Sequence, residues 1–225
     1  MELLEYHFSH LTGNLYYDET VNKYEMFSKV GKPLHLNYLT FKELFNQMNG
    51  RPNLTILETG IASAGTKSTY LFNEYIRKYG GRLWSVDINK YLVDAHQGNM
   101  CPGVHLCCDD SVSFINNWVF HNPNKHVDVA YLDSFDLDWY NPQPAALHGL
   151  KEFIALQPAL KKNSLVLIDD TPSTPYWIDY RNTLYDDMVT YYNTNNCLPG
   201  KGMHVLSVFK EYNILLHNYQ VLYKI

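Results

Sequence analysis

The chain has 225 residues, 46% of them hydrophobic and 18% charged, with a formal net charge of −5. That length allows one sizeable core but is short for two domains, and an acidic balance gives little attraction to a polyanion or an anionic membrane. Nucleic acid and membrane are therefore not expected partners. No window reaches the roughly 18 apolar residues a bilayer span needs, and the first residues carry no basic stretch leading into an apolar run. A soluble, cytoplasmic protein is expected. Cys101, Cys107, Cys108 and Cys197 show no CxxC spacing, so free thiols are expected rather than a disulfide or a metal knot.

Residues 1–50 are rich in Tyr, His and Phe and read as a cap segment of the same domain, with residues 51–225 as the ligand-binding part. Thr40 to Met48 predicts a helix whose Phe41, Leu44, Phe45 and Met48 share one face. From Leu54 onward, short apolar runs alternate with helical patterns, as in repeated βαβ units. Strands are expected at Leu54–Leu57, Leu83–Val86, Val104–Cys107, Val127–Leu132 and Leu165–Ile168. Helices are expected over Lys67–Lys78, stopped by Gly80-Gly81, over Ser111–Val119, and from Pro144 to Leu156 ahead of Pro158. Thr171 to Gly202 reads as a loop across the mouth of the site, Met203 to Phe209 fits helix or strand, and Tyr219–Ile225 reads as a last strand. The fold class is α/β: a Rossmann-like, doubly wound, mostly parallel seven-stranded sheet with an N-terminal helical cap.

In such a sheet the ligand lies outside the carboxyl ends of the strands, where loop amides and helix N-termini converge. Those ends read Glu58-Thr-Gly-Ile-Ala-Ser-Ala-Gly65, Asp87, Asp109-Asp110-Ser111, Asp133 and Asp169-Asp170, so five successive strand ends carry acid. Gly60, Ala62, Ser63, Ala64 and Gly65 are small enough for close backbone approach to a ligand. Asp87 follows Gly65 by 22 positions, the spacing at which an acid on the second strand accepts bonds from two ribose hydroxyls. The pair indicates an adenosine-containing ligand. Glu58 argues against a dinucleotide, whose pyrophosphate it would repel, and for S-adenosylmethionine, which brings a sulfonium and an ammonium.

LTILETGIASAGTKST at Leu54–Thr69 resembles motif I of the class I S-adenosylmethionine-dependent methyltransferases. RLWSVDIN at Arg82–Asn89, with Asp87 and Ile88, resembles their ribose-binding segment, and CCDDS at Cys107–Ser111 their adenine-contacting one. The resemblance implies cofactor contacts from Glu58, Gly60, Ala62, Ser63, Gly65, Asp87, Ile88, Asp109, Asp110 and Ser111. It covers Leu54 to Asp170, and the first turn departs from the usual ExGxGxG.

The fourth and fifth strands are neighbours in this fold, which brings Asp133 near Asp169 and Asp170. Three such acids repel one another and need a cation, a shared proton or a basic partner. VDVAYLDSFDLDW at Val127–Trp139 with NSLVLIDDTP at Asn163–Pro172 resembles the metal-dependent O-methyltransferases of catechol and macrolide-sugar type. That implies magnesium on Asp133, Asp169 and Asp170, with Asp133 also catalytic, and methyl transfer to a small-molecule hydroxyl. His148, in the first turns of the Pro144 helix, stands where a general base is needed. Asp136, Asp138, Trp139 and Tyr140 are further pocket candidates, and Lys201 in Pro-Gly-Lys-Gly-Met is placed to reach an anionic group. The aromatic amino-terminal segment would serve as a homodimer surface. Two other readings remain open: an NAD(P)-dependent oxidoreductase, and a non-catalytic binding protein on a methyltransferase-like fold.

Overall fold

The computed structural model describes residues 2–11, 14–18, 23–25, 33–61, 65–178 and 182–225. It opens with helix α1 (Glu2–Ser9), the short strands β1 (Asn14–Asp18), β2 (Lys23–Glu25) and β3 (Pro33–His35), and helix α2 (Tyr38–Met48). The three strands form a small antiparallel sheet ordered β2-β1-β3. Strand and helix then alternate through β4 (Leu54–Thr59), α3 (Ser68–Tyr79), β5 (Gly81–Asp87), α4 (Lys90–Gln97) and β6 (Val104–Cys108). The alternation continues with α5 (Ser111–His121), β7 (Val129–Leu132), α6 (Gln143–Leu156) and β8 (Leu165–Ile168). Helices α7 (Tyr185–Asn195) and α8 (Met203–Val208) and the hairpin β9 (Asn213–His217) and β10 (Val221–Lys224) complete the order.

The main sheet has seven strands ordered β6-β5-β4-β7-β8-β10-β9. Strands β4 to β8 are mutually parallel, and β10 runs antiparallel between β8 and β9. The chain winds outward from β4 to β6, then returns to β7, so direction reverses between β4 and β7. A crevice opens at such a reversal because the connections leave toward opposite faces. β7 and β8 are buried at every position, as strands covered on both faces must be. Tyr131 and Leu167 face a core with Leu4, Phe41 and Phe72. Their neighbours Ala130, Leu132, Val166 and Ile168 face a second core with Ile115, Trp118 and Phe153.

The amino-terminal helices belong to the first of these cores. Phe41 is fully buried, with ring centroids 5.8 Å from Phe8, 6.0 Å from Phe72 and 5.2 Å from Tyr131. Phe41→Leu is expected to lower unfolding free energy by about 1–2 kcal/mol, since leucine fills most but not all of the ring's volume. Urea denaturation checks this, and a loss-free variant would show that α2 is not integral to the core.

The parallel strands fall within one or two residues of their expected positions, while the fourth is trimmed to Val129–Leu132 and the last to Val221–Lys224. Met203–Val208 resolves as helix. Thr171 to Gly202 is not all loop: it contains α7, in which Tyr185 and Met188 are the buried residues. So thin an apolar stripe leaves little periodicity to read, and the helix is supported instead by Asp186 and Asp187 in its first turn. All four cysteines are free. No helix among the described residues is long and apolar enough to cross a membrane.

Candidate active site

A crevice of about 720 Å³ opens at the carboxyl ends of β4, β5, β6, β7 and β8. One side is made by Gly60 and Ile61 after β4, by Asp87, Ile88 and Asn89 after β5, and by Asp109, Asp110 and Ser111 after β6. The other is made by Asp133 to Asp136 after β7, His148 on α6, Asp170 after β8, and Lys201. Among the described residues, six carboxylates thus line one cavity with Lys201 and His148 as the basic groups.

Gly60 has φ +84°, and a Cβ there would lie 2.5 Å from the Asp133 carbonyl oxygen. The β4 turn and the β7 end therefore meet backbone to backbone. Gly65 has φ +56°, a conformation that also favours glycine. Ala62 and Ser63 lie outside the described residues. Asp87 ties the turns together: Oδ2 accepts from the Ile61 amide at 2.9 Å and Oδ1 from the Asn89 amide at 2.7 Å. Each carboxylate oxygen keeps a second lone pair for a ligand hydroxyl. Ile88 is 78% exposed on the crevice and offers an apolar face for a ring.

Asp109 accepts from the Asp110 amide, and Asp110 caps α5 by accepting from the Ser113 amide at 2.9 Å. That bond holds the Asp110 carboxyl below its usual range. Ser111 Oγ lies 2.8 Å from His148 Nε2, and Glu152 Oε1 lies 3.5 Å beyond the same nitrogen. Glu152 also accepts from Ser134 Oγ at 2.6 Å. The His148 ring is thereby fixed at the crevice edge, with the Phe135 ring 5.3 Å away. Asp136 lines the crevice. Asp138 accepts from the Tyr140 amide, and Tyr140 is 72% exposed; neither it nor Trp139 lines the cavity.

Glu58 sits elsewhere. It is fully buried within β4 and accepts from Ser68 Oγ, Thr69 Oγ1 and Ser85 Oγ at 2.6, 2.7 and 2.5 Å. It anchors the start of α3 to the sheet beneath the crevice, and does not line the cavity.

The acids after β7 and β8 do converge, and a lysine stands among them. Lys201 Nζ donates to Asp133 Oδ1 at 2.8 Å and lies 3.0 Å from Asp170 Oδ2. Asp169 turns inward, where Oδ2 accepts from Tyr131 at 2.7 Å and Oδ1 from Gln220 Nε2 at 2.8 Å and Asn37 at 3.4 Å. Burial raises the Asp133 carboxyl well above its ordinary range, with Asp169 adding to the effect and Lys201 opposing it. Burial alone would depress Lys201, but Asp133, Asp170 and Asp169 more than offset it and keep the ammonium protonated.

This arrangement does not fit the magnesium ion expected on Asp133, Asp169 and Asp170. The oxygens that would ligate it are bonded to Lys201, Tyr131 and Gln220, and an ammonium takes the place between Asp133 and Asp170. Among the described residues, no group of three or more His, Cys, Asp or Glu side chains is placed to hold a metal. Of the ways to relieve three clustered acids, the chain uses the basic partner. Sequence reasoning placed Lys201 near an anionic group, but missed the supporting Tyr131, Tyr219, Gln220 and Asn37. These are scattered over residues 37–220, and only the folded sheet brings them together.

The strand order, with an antiparallel strand inserted beside the fifth parallel one, and the crevice at its reversal define the fold of the class I methyltransferases. Among solved structures the chain is similar to MycE methyltransferase from the mycinamycin biosynthetic pathway, in complex with Mg and SAH. The TM-score is 0.55 at 12% identity, over 88% of this chain and 50% of that one. It is also similar to CalS11, a TDP-rhamnose 3'-O-methyltransferase of calicheamicin biosynthesis, at TM-score 0.51 and 18% identity, over 83% of this chain and 77% of CalS11. The chain thus spans about half the length of MycE. No protein-family model matches the sequence, and comparison with curated proteins gives no match.

Proposed function

We propose that the protein is an S-adenosylmethionine-dependent methyltransferase acting on a hydroxyl of a small molecule, with residues 1–50 as the cap of a single domain. The observation that carries this reading is the division of the crevice. Its β4–β6 side has two paired functions, carboxylates at Asp87 and Asp109-Asp110 and an exposed apolar side chain at Ile88, while its β7–β8 side carries Asp133, His148 and Lys201. The first set suits an adenosine: ribose hydroxyls on Asp87, the base against Ile88 and near Asp109 to Ser111. The acidic lining as a whole suits a ligand bearing a sulfonium and an ammonium.

When bound, S-adenosylmethionine supplies a methyl group already activated by its positive sulfur. The protein's own residues then have little covalent work. They must hold an acceptor oxygen in line, exclude water and receive one proton. His148 would take that proton by way of Ser111, whose Oγ meets Nε2 at 2.8 Å: the hydroxyl passes its own proton to the ring as it receives the acceptor's, with Glu152 3.5 Å from the same nitrogen. Asp133 and Lys201 would orient the acceptor.

Calorimetric titration with S-adenosylhomocysteine, with NAD as the comparison ligand, tests the reading. Micromolar binding of the first is expected, weakened at least about 100-fold in Asp87→Ala, as befits two lost charge-assisted hydrogen bonds. NAD binding in its place would favour the oxidoreductase. Binding of neither would leave only the fold.

A further inference from the structure

The lysine among the acids is built in, not merely nearby. Lys201 is 4% exposed. Its amide donates to the Asp170 carbonyl at 3.0 Å, and the Gly202 amide donates to Thr171 Oγ1 at 2.9 Å. Three glycines leave no room for the segment to shift. A Cβ on Gly200 would lie 2.5 Å from the Asp170 carbonyl oxygen, one on Gly149 of α6 2.5 Å from the Lys201 carbonyl oxygen, and one on Gly202 2.9 Å from Thr171 Oγ1. On the acid side, Asp170 is held at φ +41°, uncommon for a non-glycine residue, while Tyr219 donates to its Oδ1 at 2.7 Å. Both loops are shaped so that this ammonium meets these carboxylates.

We infer that Lys201 is the resident cation of the acceptor side, replacing a divalent ion, so that the centre made by Asp133 and Asp170 binds no metal and the protein works without one. An ammonium has three donors. Two are engaged by Asp133 Oδ1 and Asp170 Oδ2 at 2.8 and 3.0 Å; among the described residues the third reaches only the Asp133 carbonyl oxygen, at 3.4 Å. That weakly held donor lies at the crevice and is the one free to turn to an acceptor's oxygen lone pair. A metal would offer several open positions and chelate two oxygens at once. One N–H selects for a single oxygen, so acceptors with one reactive hydroxyl are favoured over vicinal diols that depend on chelation. The word acceptor here rests on the methyltransferase reading, but the cation's place in the acid cluster does not.

The test is binding of manganese(II), followed by electron paramagnetic resonance on the full chain and by its effect on Tm, with S-adenosylhomocysteine titrated in parallel. The wild type is expected to show no saturable site below millimolar manganese and no shift in Tm. Lys201→Met keeps the length and removes the charge. It is expected to lose Tm, to gain a manganese site at least tenfold tighter, and to recover Tm when manganese is added, with the gain abolished in Lys201→Met combined with Asp170→Asn. Saturable manganese binding by the wild type would overturn the inference, and so would a folded Lys201→Met that gains no site. Should Lys201→Met not fold, Lys201→Gln serves in its place, and the wild-type titration decides by itself. Failure of S-adenosylhomocysteine to bind, alongside the expected manganese pattern, would sink the methyltransferase reading and leave the lysine assignment standing.

Discussion

Gly60→Ala is expected to lower unfolding free energy by about 3–5 kcal/mol and to remove S-adenosylhomocysteine binding, the combined result of a positive-φ penalty and a backbone collision. The new methyl would lie 2.5 Å from the Asp133 carbonyl oxygen and 3.0 Å from its carbonyl carbon, and neither belongs to a flexible side chain that can move aside. Relief requires β4 and β7 to separate at their ends. The Gly60 amide donates to the Val86 oxygen at 2.8 Å, and the Asp133 amide to the Thr59 oxygen at 3.0 Å, so separation also strains the ladder on both sides. Gly65→Ala is the control. It shares a positive φ, but its Cβ would meet no described atom within 4 Å, and a cost of about 1–2 kcal/mol is expected. Equal losses in the two variants, measured by urea denaturation, would mean that close approach of the strand ends is not what fixes Gly60.

The parallel half of the sheet was legible because its strands are short apolar runs that each end in acid and alternate with helical patterns. Leu165–Ile168 and Leu54 onward are examples. The elements missed were those with weak or mixed patterns. Helix α4 has only Val93 buried, and β9 has no fully buried position; both lie at the margins, where little apolar surface is removed from water and so little is written into sequence. The small antiparallel sheet was unforeseen for a different reason: a Tyr-rich segment shows no period-2 contrast between apolar and polar.

Strand-end acids pointed correctly to the crevice, yet equal placement along the strands did not mean equal roles. Asp87, Asp109, Asp110, Asp133 and Asp170 line the cavity, whereas Glu58 and Asp169 turn into the protein. Asp169 and Asp170 are adjacent but lie in the bend after β8, and the φ of +41° at Asp170 turns its carboxylate to the crevice while that of Asp169 points inward. Glu58 is still within β4, one residue before its end, and the alternation of side chains along the strand directs it at α3. Lys201 was legible as a reach toward an anionic group, but not as the partner of these acids. Whether a basic group or a metal balances clustered acids depends on a loop about thirty residues downstream of Asp170, and no local pattern at the acids records it.

Glu58→Gln is expected to abolish a pH dependence of stability that the wild type shows. Burial pushes the Glu58 carboxyl up to about 7, partly offset by the Ser68, Ser85 and Thr69 hydroxyls and reinforced by Asp87. In the unfolded chain the same group titrates near its ordinary value of about 4.3. Between those values the folded state holds a proton that the unfolded state has released. Stability contributed by this group is therefore fully present below about pH 4.3 and lost as pH rises through 7, amounting to about 3–4 kcal/mol. Glutamine has the same shape and no titration, and the three hydroxyls can rotate to meet its amide. The difference between wild-type and Glu58→Gln unfolding free energies, measured by urea denaturation from pH 5 to 8, isolates Glu58 from every other titrating group. It should shift steadily in favour of the variant as pH rises. Glu58→Ala should be less stable than Glu58→Gln by about 3–5 kcal/mol at every pH in the range, because hydroxyls buried at Ser68 and Ser85 lose their acceptor. A flat difference for Glu58→Gln would show that the carboxylate stays ionised in the fold, so that the hydroxyls outweigh burial. It would also put a fixed negative charge directly beneath the crevice, strengthening the preference for a cationic ligand above it.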